Sequence, residues 1–215
     1  MREFDALAVY PESKAPRVAN RTIKNRIAAC YRDREFFDGN RANGYGGLVD
    51  DGRWKAVAEF MAREYGLVRG SKVLQINAEK GFLLSEFHKL GIDSKGTEQS
   101  QYAISESDAF IREGGPVELI WPTGYFDLVI AIGTIYTLNL YDAIRCLKEI
   151  QRVGKRSFVT LGSYETLEDY WLMRSWSLLG CMILTKAEWI EVMQHAGYDG
   201  DYKCVTARSL GLVNG

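Results

Sequence analysis

Histidine and cysteine are scarce in this sequence, which argues against a metal site. His88 and His195 are the only histidines, and the four cysteines are widely scattered, with no CxxC pair and no histidine at a ligand spacing. A structural zinc site needs such closely spaced ligands. We therefore expect no metal. Because the cysteine spacing suggests no disulfide scaffold, we expect a reducing compartment.

Long hydrophobic runs are also missing. No stretch approaches the roughly 20 apolar residues that a membrane helix needs. The first residues include Arg2, Glu3 and Asp5 and lack the apolar core of a signal peptide. These absences predict a soluble, cytoplasmic protein that does not associate with membranes.

Neither sign of charge is in excess. The sequence has 27 lysines and arginines against 28 acidic residues, a formal net charge of -1. Proteins that bind nucleic acid normally carry a basic surplus, so nucleic acid is not an expected partner. Residues 14–34 are locally basic. We interpret them as a solvated helix face, with a polyanion site as the alternative.

The stretch from Ser71 to Gln99 carries the clearest functional pattern. An apolar run at residues 73–76 predicts a buried strand, a turn at residues 77–81 follows it, and apolar residues then recur at helical spacing over 82–90. A second short strand ends at Glu98. This strand, turn, helix and strand order, with an acid about 20 residues beyond the turn, is typical of a nucleotide-binding crevice, where the acid accepts hydrogen bonds from ribose hydroxyls.

Predicted strands and helices alternate through most of the chain. We expect helices at 21–37, 54–65, 100–112, 139–151 and 186–196, and strands at 117–120, 126–132 and 158–161, with a last strand or hairpin within 201–213. Such alternation predicts an α/β sheet, mostly parallel, with helices on both faces. The carboxyl ends of its central strands would bring together residues 75–79, Glu98 and residues 132–136.

Several segments, taken in order, resemble class I S-adenosylmethionine-dependent methyltransferases. They are VLQINAEKGFLL, GTEQS, YFDLVIAIGTIYTL, CLKEIQRVGKRSFVTL and TKAEWIEVMQHAGY, and GYGGLVDDGRW is similar to a YDGRW-like lead-in of small bacterial members. The resemblance implies a Rossmann-like, doubly wound, mostly parallel seven-stranded sheet with an antiparallel C-terminal hairpin and an N-terminal helical cap. Residues 1–51 would form the extension and cap, and residues 52–215 the methyltransferase-like domain.

The resemblance also implies a site for S-adenosylmethionine and a small-molecule substrate. The first turn would carry the methionine end of the cofactor, Glu98 would bind the ribose hydroxyls, and Tyr136 would lie where the substrate meets the methyl group, as the candidate catalytic residue. The implied cofactor-binding residues are Gln75, Asn77, Glu79, Gly81, Glu98, Gln99, Ile132, Gly133 and Thr134. The implied substrate-binding residues are Tyr31, Tyr45 and Arg53.

The first turn departs from the pattern of this family. An acid is usual at position 75 and glycines at 77 and 79, where this chain has Gln75, Asn77 and Glu79. Asparagine tolerates positive φ better than other side chains, whereas the Glu79 side chain occupies space that a close backbone approach needs. The chain is therefore interpreted as a small-molecule methyltransferase or, alternatively, as a non-catalytic subunit of the same fold.

The apolar run at 171–184 has two interpretations. It is a wall of the substrate pocket, or it is a surface for association with a second copy or another protein.

Overall fold

The computed structural model describes residues 1–11, 20–107 and 110–212. Within these ranges, seven strands form one sheet with helices on both faces. The strands are β1 (Arg2–Glu3), β2 (Lys72–Ile76), β3 (Asp93–Glu98), β4 (Ile111–Glu113), β5 (Leu128–Ala131), β6 (Ser157–Gly162) and β7 (Asp201–Val205). The helices are α1 (Ile23–Cys30), α2 (Arg34–Asp38), α3 (Trp54–Glu64), α4 (Phe82–Lys89), α5 (Gln101–Ser105), α6 (Leu140–Val153), α7 (Leu167–Trp176) and α8 (Lys186–Ala196).

The strand order is β1-β7-β6-β5-β2-β3-β4, and every pairing between these strands is parallel. The doubly wound fold is therefore confirmed, but the antiparallel C-terminal hairpin is wrong. α8 returns the chain to the starting end of the sheet, so that β7 runs in the same direction as β6. β1 pairs with the other edge of β7, with Arg2 opposite Asp201, and so takes the edge that a hairpin partner would need.

The predictions hold well for α6 and α8, and in both helices a side chain caps the first turn. Thr185 and Glu188 form a capping box at the start of α8, and the Asn139 side chain caps α6. The single helix predicted over 21–37 is instead two helices, because Arg32 between them has a φ of 47°. Similarly, α5 ends at Ser105, and the strand that follows lies at 111–113 rather than at 117–120.

The two faces of the sheet bury separate cores. Leu74 and Ile76 lie on one face and pack with side chains from α6 and α8. Val73 lies on the other face, among side chains from α3, α4 and residues 4–10. This alternation follows from the two-residue period of a strand, and it places Gln75 on the same face as Val73.

Among the described residues, no helix has both the length and the apolar character that crossing a bilayer requires.

Candidate functional site

The turn between β2 and α4 keeps the backbone of a glycine-rich loop without most of its glycines. Asn77, Glu79 and Gly81 all have positive φ, at 51°, 55° and 77°. The turn is tied to β3 by the Ala78 N–H, which donates to the Thr97 carbonyl at 2.9 Å. At Gly81 a Cβ would lie 2.9 Å from the Ile111 side chain, so close packing as well as φ favours glycine there.

Residues 132–134 follow β5 and meet the same edge of the sheet. The Gly133 N–H donates to the Thr160 hydroxyl at 2.8 Å, and the buried Thr134 hydroxyl donates to the Ile76 carbonyl at 3.3 Å. These bonds join the ends of β2, β5 and β6. With the bond from Ala78 to Thr97 on β3, they bring together the three segments that the sequence places in one crevice.

Glu98 is fully buried at the end of β3, and its carboxylate has many partners. Its Oε1 accepts from the Gln99 N–H at 2.8 Å and the Ser100 N–H at 3.0 Å, and its Oε2 accepts from the Glu79 N–H at 2.9 Å. The Arg32 guanidinium lies 3.2 and 3.3 Å from the two oxygens. Backbone amides fix the position of the carboxylate, and Arg32 neutralises its charge.

Glu79 is hydrogen-bonded to one phenol, that of Tyr45, and its charge acts on a second, that of Tyr136. The Tyr45 hydroxyl donates a hydrogen bond to the Glu79 carboxylate. Burial raises the pKa of Glu79 to about 7, and the hydrogen bond from Tyr45 and the charge of Arg32 only partly oppose this. Burial and the nearby Glu79 carboxylate raise the pKa of Tyr136 to about 12, so its phenol stays protonated at neutral pH.

Glycines make room for the Tyr136 ring. A Cβ at Gly162 would lie 2.9 Å from the ring, and one at Gly180 would lie 3.5 Å from it. The Tyr136 carbonyl accepts from the backbone amides of Cys181 and Met182, both at 3.0 Å. The ring is therefore held by the end of β6 and by the loop after α7.

A second charged group lies beside the turn. Lys80 is buried, and its ammonium lies 2.6 Å from the Asp38 carboxylate and 3.1 Å from the Leu48 carbonyl. The Tyr102 hydroxyl also donates to Asp38, at 2.5 Å. Although burial alone would raise the pKa of Asp38, these hydrogen bonds hold it below the usual range.

Arg32, Lys80 and Asp38 were not singled out by the sequence as site residues. Arg32 and Asp38 belong to what we call the cap segment, residues 21–48, which contains α1 and α2 and crosses the turn. The sequence around Arg32 is rich in bases, and such a pattern does not distinguish a helix face in solvent from a guanidinium that points inward. No signal short of the three-dimensional structure indicates that one of these bases reaches Glu98.

Three other predicted residues lie away from this cluster or are engaged elsewhere. The Tyr31 residue is 71% exposed at the end of α1, and Gln99 is also exposed. Arg53 pairs with Asp51 and lies near the Tyr10 ring. Their assigned roles stay predictions.

Two acceptors at the end of β2 have no partner. Gln75 Oε1 and Asn77 Oδ1 are buried and make no hydrogen bond within the part of the chain that the structure describes. An unsatisfied buried acceptor costs about 1–3 kcal/mol unless a ligand donates to it. The described ranges contain no group of three or more His, Cys, Asp or Glu side chains arranged to hold a metal ion.

Comparison with solved structures identifies the fold. The sequence matches no protein-family model and no curated protein. A chain from the complex between the Haloferax volcanii Trm112 methyltransferase activator and its proposed methyltransferase superposes with a TM-score of 0.51 at 18% identity, covering 70% of this chain and 77% of that one. The chain has the fold of class I S-adenosylmethionine-dependent methyltransferases.

Two other solved structures share this methyltransferase fold. The YcgJ protein from Bacillus subtilis has a TM-score of 0.55 at 14% identity, covering 65% of this chain and 66% of that one. The [4+2]-cyclase SpnF has a TM-score of 0.53 at 17% identity, with coverages of 66% and 56%. The fold thus hosts more than one chemistry, and function has to be argued from the site.

Proposed function

We propose that this protein is an S-adenosylmethionine-dependent methyltransferase that acts on a small molecule in the cytoplasm. The observation that supports this most is the pair of unpartnered acceptors, Gln75 Oε1 and Asn77 Oδ1, at the carboxyl end of a central strand, where open α/β sheets bind their ligands. The near-neutral charge of the chain favours a small acceptor over nucleic acid.

The chemistry of the crevice suits the proposed cofactor. Amide oxygens of Gln75 and Asn77 would accept from the ammonium group of its methionine end. Glu98 would receive the ribose hydroxyls, and residues 132–134 would line the sulfonium side. These groups lie at the ends of β2 and β3 and in the segments that follow β2 and β5, which hydrogen bonds join, so they are held in place before a ligand arrives.

Methyl transfer from a sulfonium requires little covalent catalysis by the protein. The sulfonium supplies the electrophilic methyl group, so the chain has to align the nucleophile and exclude water. Tyr136 and Tyr45 would line the acceptor side with apolar rings and protonated hydroxyls. Glu79, with a pKa of about 7, is placed to take up a proton at neutral pH.

Calorimetric titration with S-adenosylhomocysteine tests the proposal. We expect the wild-type protein to bind, and Gln75→Met, which keeps the size of the side chain but removes its acceptor, to weaken binding about tenfold through the loss of a hydrogen bond to a charged group. Gln101→Met, at an exposed position, is the matched control and should bind as wild type does. Absence of binding in all three proteins at millimolar ligand would reject the proposal.

A second candidate function is a non-catalytic subunit that binds a protein partner. It is favoured by apolar side chains that lie exposed on neighbouring helices, with Trp171 and Leu167 on α7 and Ile23 and Ile27 on α1. The solved neighbour in complex with Trm112 gives a precedent for the fold in a partnership. Light scattering of the purified chain across a concentration series, compared with Trp171→Ser, tests self-association through this surface.

A further inference from the structure

The cap segment is attached to the crevice by side chains that a cofactor would need. Three pairs of side chains join it to the turn and to the end of β3: Arg32 with Glu98, Tyr45 with Glu79, and Asp38 with Lys80. The cap also contributes Phe36 and Phe37 to a small core shared with α5. Apolar packing alone would hold the cap segment without charged contacts to the crevice, so these side-chain pairs connect the cap directly to the candidate site.

The contact between Arg32 and Glu98 conflicts with the proposed function. Glu98 Oε1 already accepts from two backbone amides, so Oε2, which accepts from one, is the oxygen with capacity to spare. The Arg32 guanidinium contacts both oxygens, 3.2 Å from Oε1 and 3.3 Å from Oε2, and so also uses the remaining capacity of Oε2. A ribose hydroxyl and Arg32 therefore compete for the same side of one carboxylate.

The contact with Glu98 is accompanied by an unfavourable backbone conformation at Arg32. Arg32 has a φ of 47°, which is disfavoured for a side chain other than glycine or asparagine. Its carbonyl is held by the Ser100 hydroxyl, and its Nε is buried without a partner in the described part of the chain. The Arg32 backbone is thus maintained by contacts with residues 98–100 rather than by its own preference.

We propose that Arg32 is an internal competitor for the cofactor site, so that ligand binding at Glu98 requires the Arg32 end of the cap segment to release. This inference rests on the proposed function. Cap position and cofactor binding are then coupled in both directions. A contact that holds Arg32 on Glu98 lowers the affinity for the ligand, and a bound ligand destabilises the contact between the cap segment and Glu98.

Titration of Arg32 variants with S-adenosylhomocysteine tests the competition. If the released cap is a minor state of roughly 10% or less, Arg32→Ala should tighten binding by about tenfold or more. Arg32→Gly removes the guanidinium and also relieves the left-handed backbone, so it serves where the alanine variant folds poorly. Arg34→Ala, on the same segment but exposed, is the control and should bind as wild type does.

Hydrogen exchange gives a readout that does not depend on turnover. Saturating S-adenosylhomocysteine should speed amide exchange in α1 and α2 of the wild-type protein and change it little in Arg32→Gly. Equal affinity in wild type and both Arg32 variants, or slower exchange in the cap on binding, would overturn the competition while leaving the methyltransferase proposal intact. Absence of binding in wild type and variants alike would reject the proposed function and the competition with it.

Discussion

The hydroxyl of Tyr45 donates to the carboxylate of Glu79, which joins a loop of the cap segment to the turn after β2. Glu79 stands in a left-handed conformation that is unusual for glutamate. The side chain therefore reaches a partner 34 residues away in sequence while its backbone N–H holds Glu98. One residue thus connects the cap, the turn and the end of β3.

The first prediction concerns the pH dependence of stability. Because burial raises the pKa of Glu79 to about 7 in the folded state, above its value of about 4.5 in an unfolded chain, the folded state binds more protons between these values. The stability that comes from the protonated carboxyl is present at low pH and is lost as pH rises through 7. Tyr45, Tyr136, Arg32 and Glu98 are the groups that face it.

Urea unfolding at pH 5.5 and pH 8 measures this loss. We expect the free energy of unfolding to fall by on the order of 1 kcal/mol over this range, since one pKa unit corresponds to about 1.4 kcal/mol. Glu79→Gln should flatten the dependence, and Glu59→Gln, at an exposed site on α3, should keep it. An unchanged slope in Glu79→Gln would mean that another group titrates.

The second prediction isolates the hydrogen bond from Tyr45. Because this bond favours the ionised carboxylate, Tyr45→Phe should move the pKa of Glu79 further upward. Carboxyl ¹³C NMR titration, with Glu79→Gln to assign the signal, measures the change. Tyr141→Phe, at an exposed position on α6, should leave the titration where it is. A downward shift in Tyr45→Phe would contradict the assigned donor.

The third prediction concerns the ion pair between buried Lys80 and half-buried Asp38. Removing one partner leaves the other charge buried, so Asp38→Ala should lower the free energy of unfolding by about 3 kcal/mol. The double variant Lys80→Met, Asp38→Leu should lose less than Asp38→Ala alone, because neither charge remains. Lys186→Met, which breaks the exposed pair with Glu3, should cost about 1 kcal/mol or less. Chemical denaturation of the four proteins gives the comparison, and a double variant less stable than Asp38→Ala would contradict the argument.

The fourth prediction tests how Tyr136 is seated. A methyl group at Gly162 would lie 2.9 Å from the ring, so Gly162→Ala should destabilise the fold by about 1–3 kcal/mol and displace Tyr136. At Gly114 the nearest atoms to a new Cβ lie 3.6 Å away, so Gly114→Ala is the matched control with little effect. Thermal unfolding and near-ultraviolet circular dichroism report both effects, and equal stability of the two variants would mean that the ring moves freely.

Sequence patterns were enough to predict the elements that local chemistry determines. α3, α6 and α8 lie within two residues of their predicted limits, because each combines an apolar face with a clear beginning or end. The direction of β7 was not predictable in this way. A segment with alternating apolar residues has the same pattern in a parallel and in an antiparallel strand. The direction of β7 depends on the edge of the sheet at which α8 ends.

The same division applies to the candidate site. The position of Glu98 at a strand end beside the first turn follows from spacing, and the Glu79 N–H does donate to it. The partner Arg32 lies 66 residues earlier, in a helix break that no propensity indicated. A contact of this kind depends on how the cap segment packs against the sheet. That packing produces no hydrophobic periodicity that could be recognised in the sequence.

The pairing of β1 with β7 has a consequence for biosynthesis. Because the ribosome works from the N-terminal side to the C-terminal side, it makes residues 2–3 long before residues 201–202, their partners in the sheet. The edge strand therefore has to wait, unpaired, while the rest of the sheet is assembled, and closing so long a loop is slow. The outer edge of β7 accordingly stays open until β1, which was made much earlier, pairs with it.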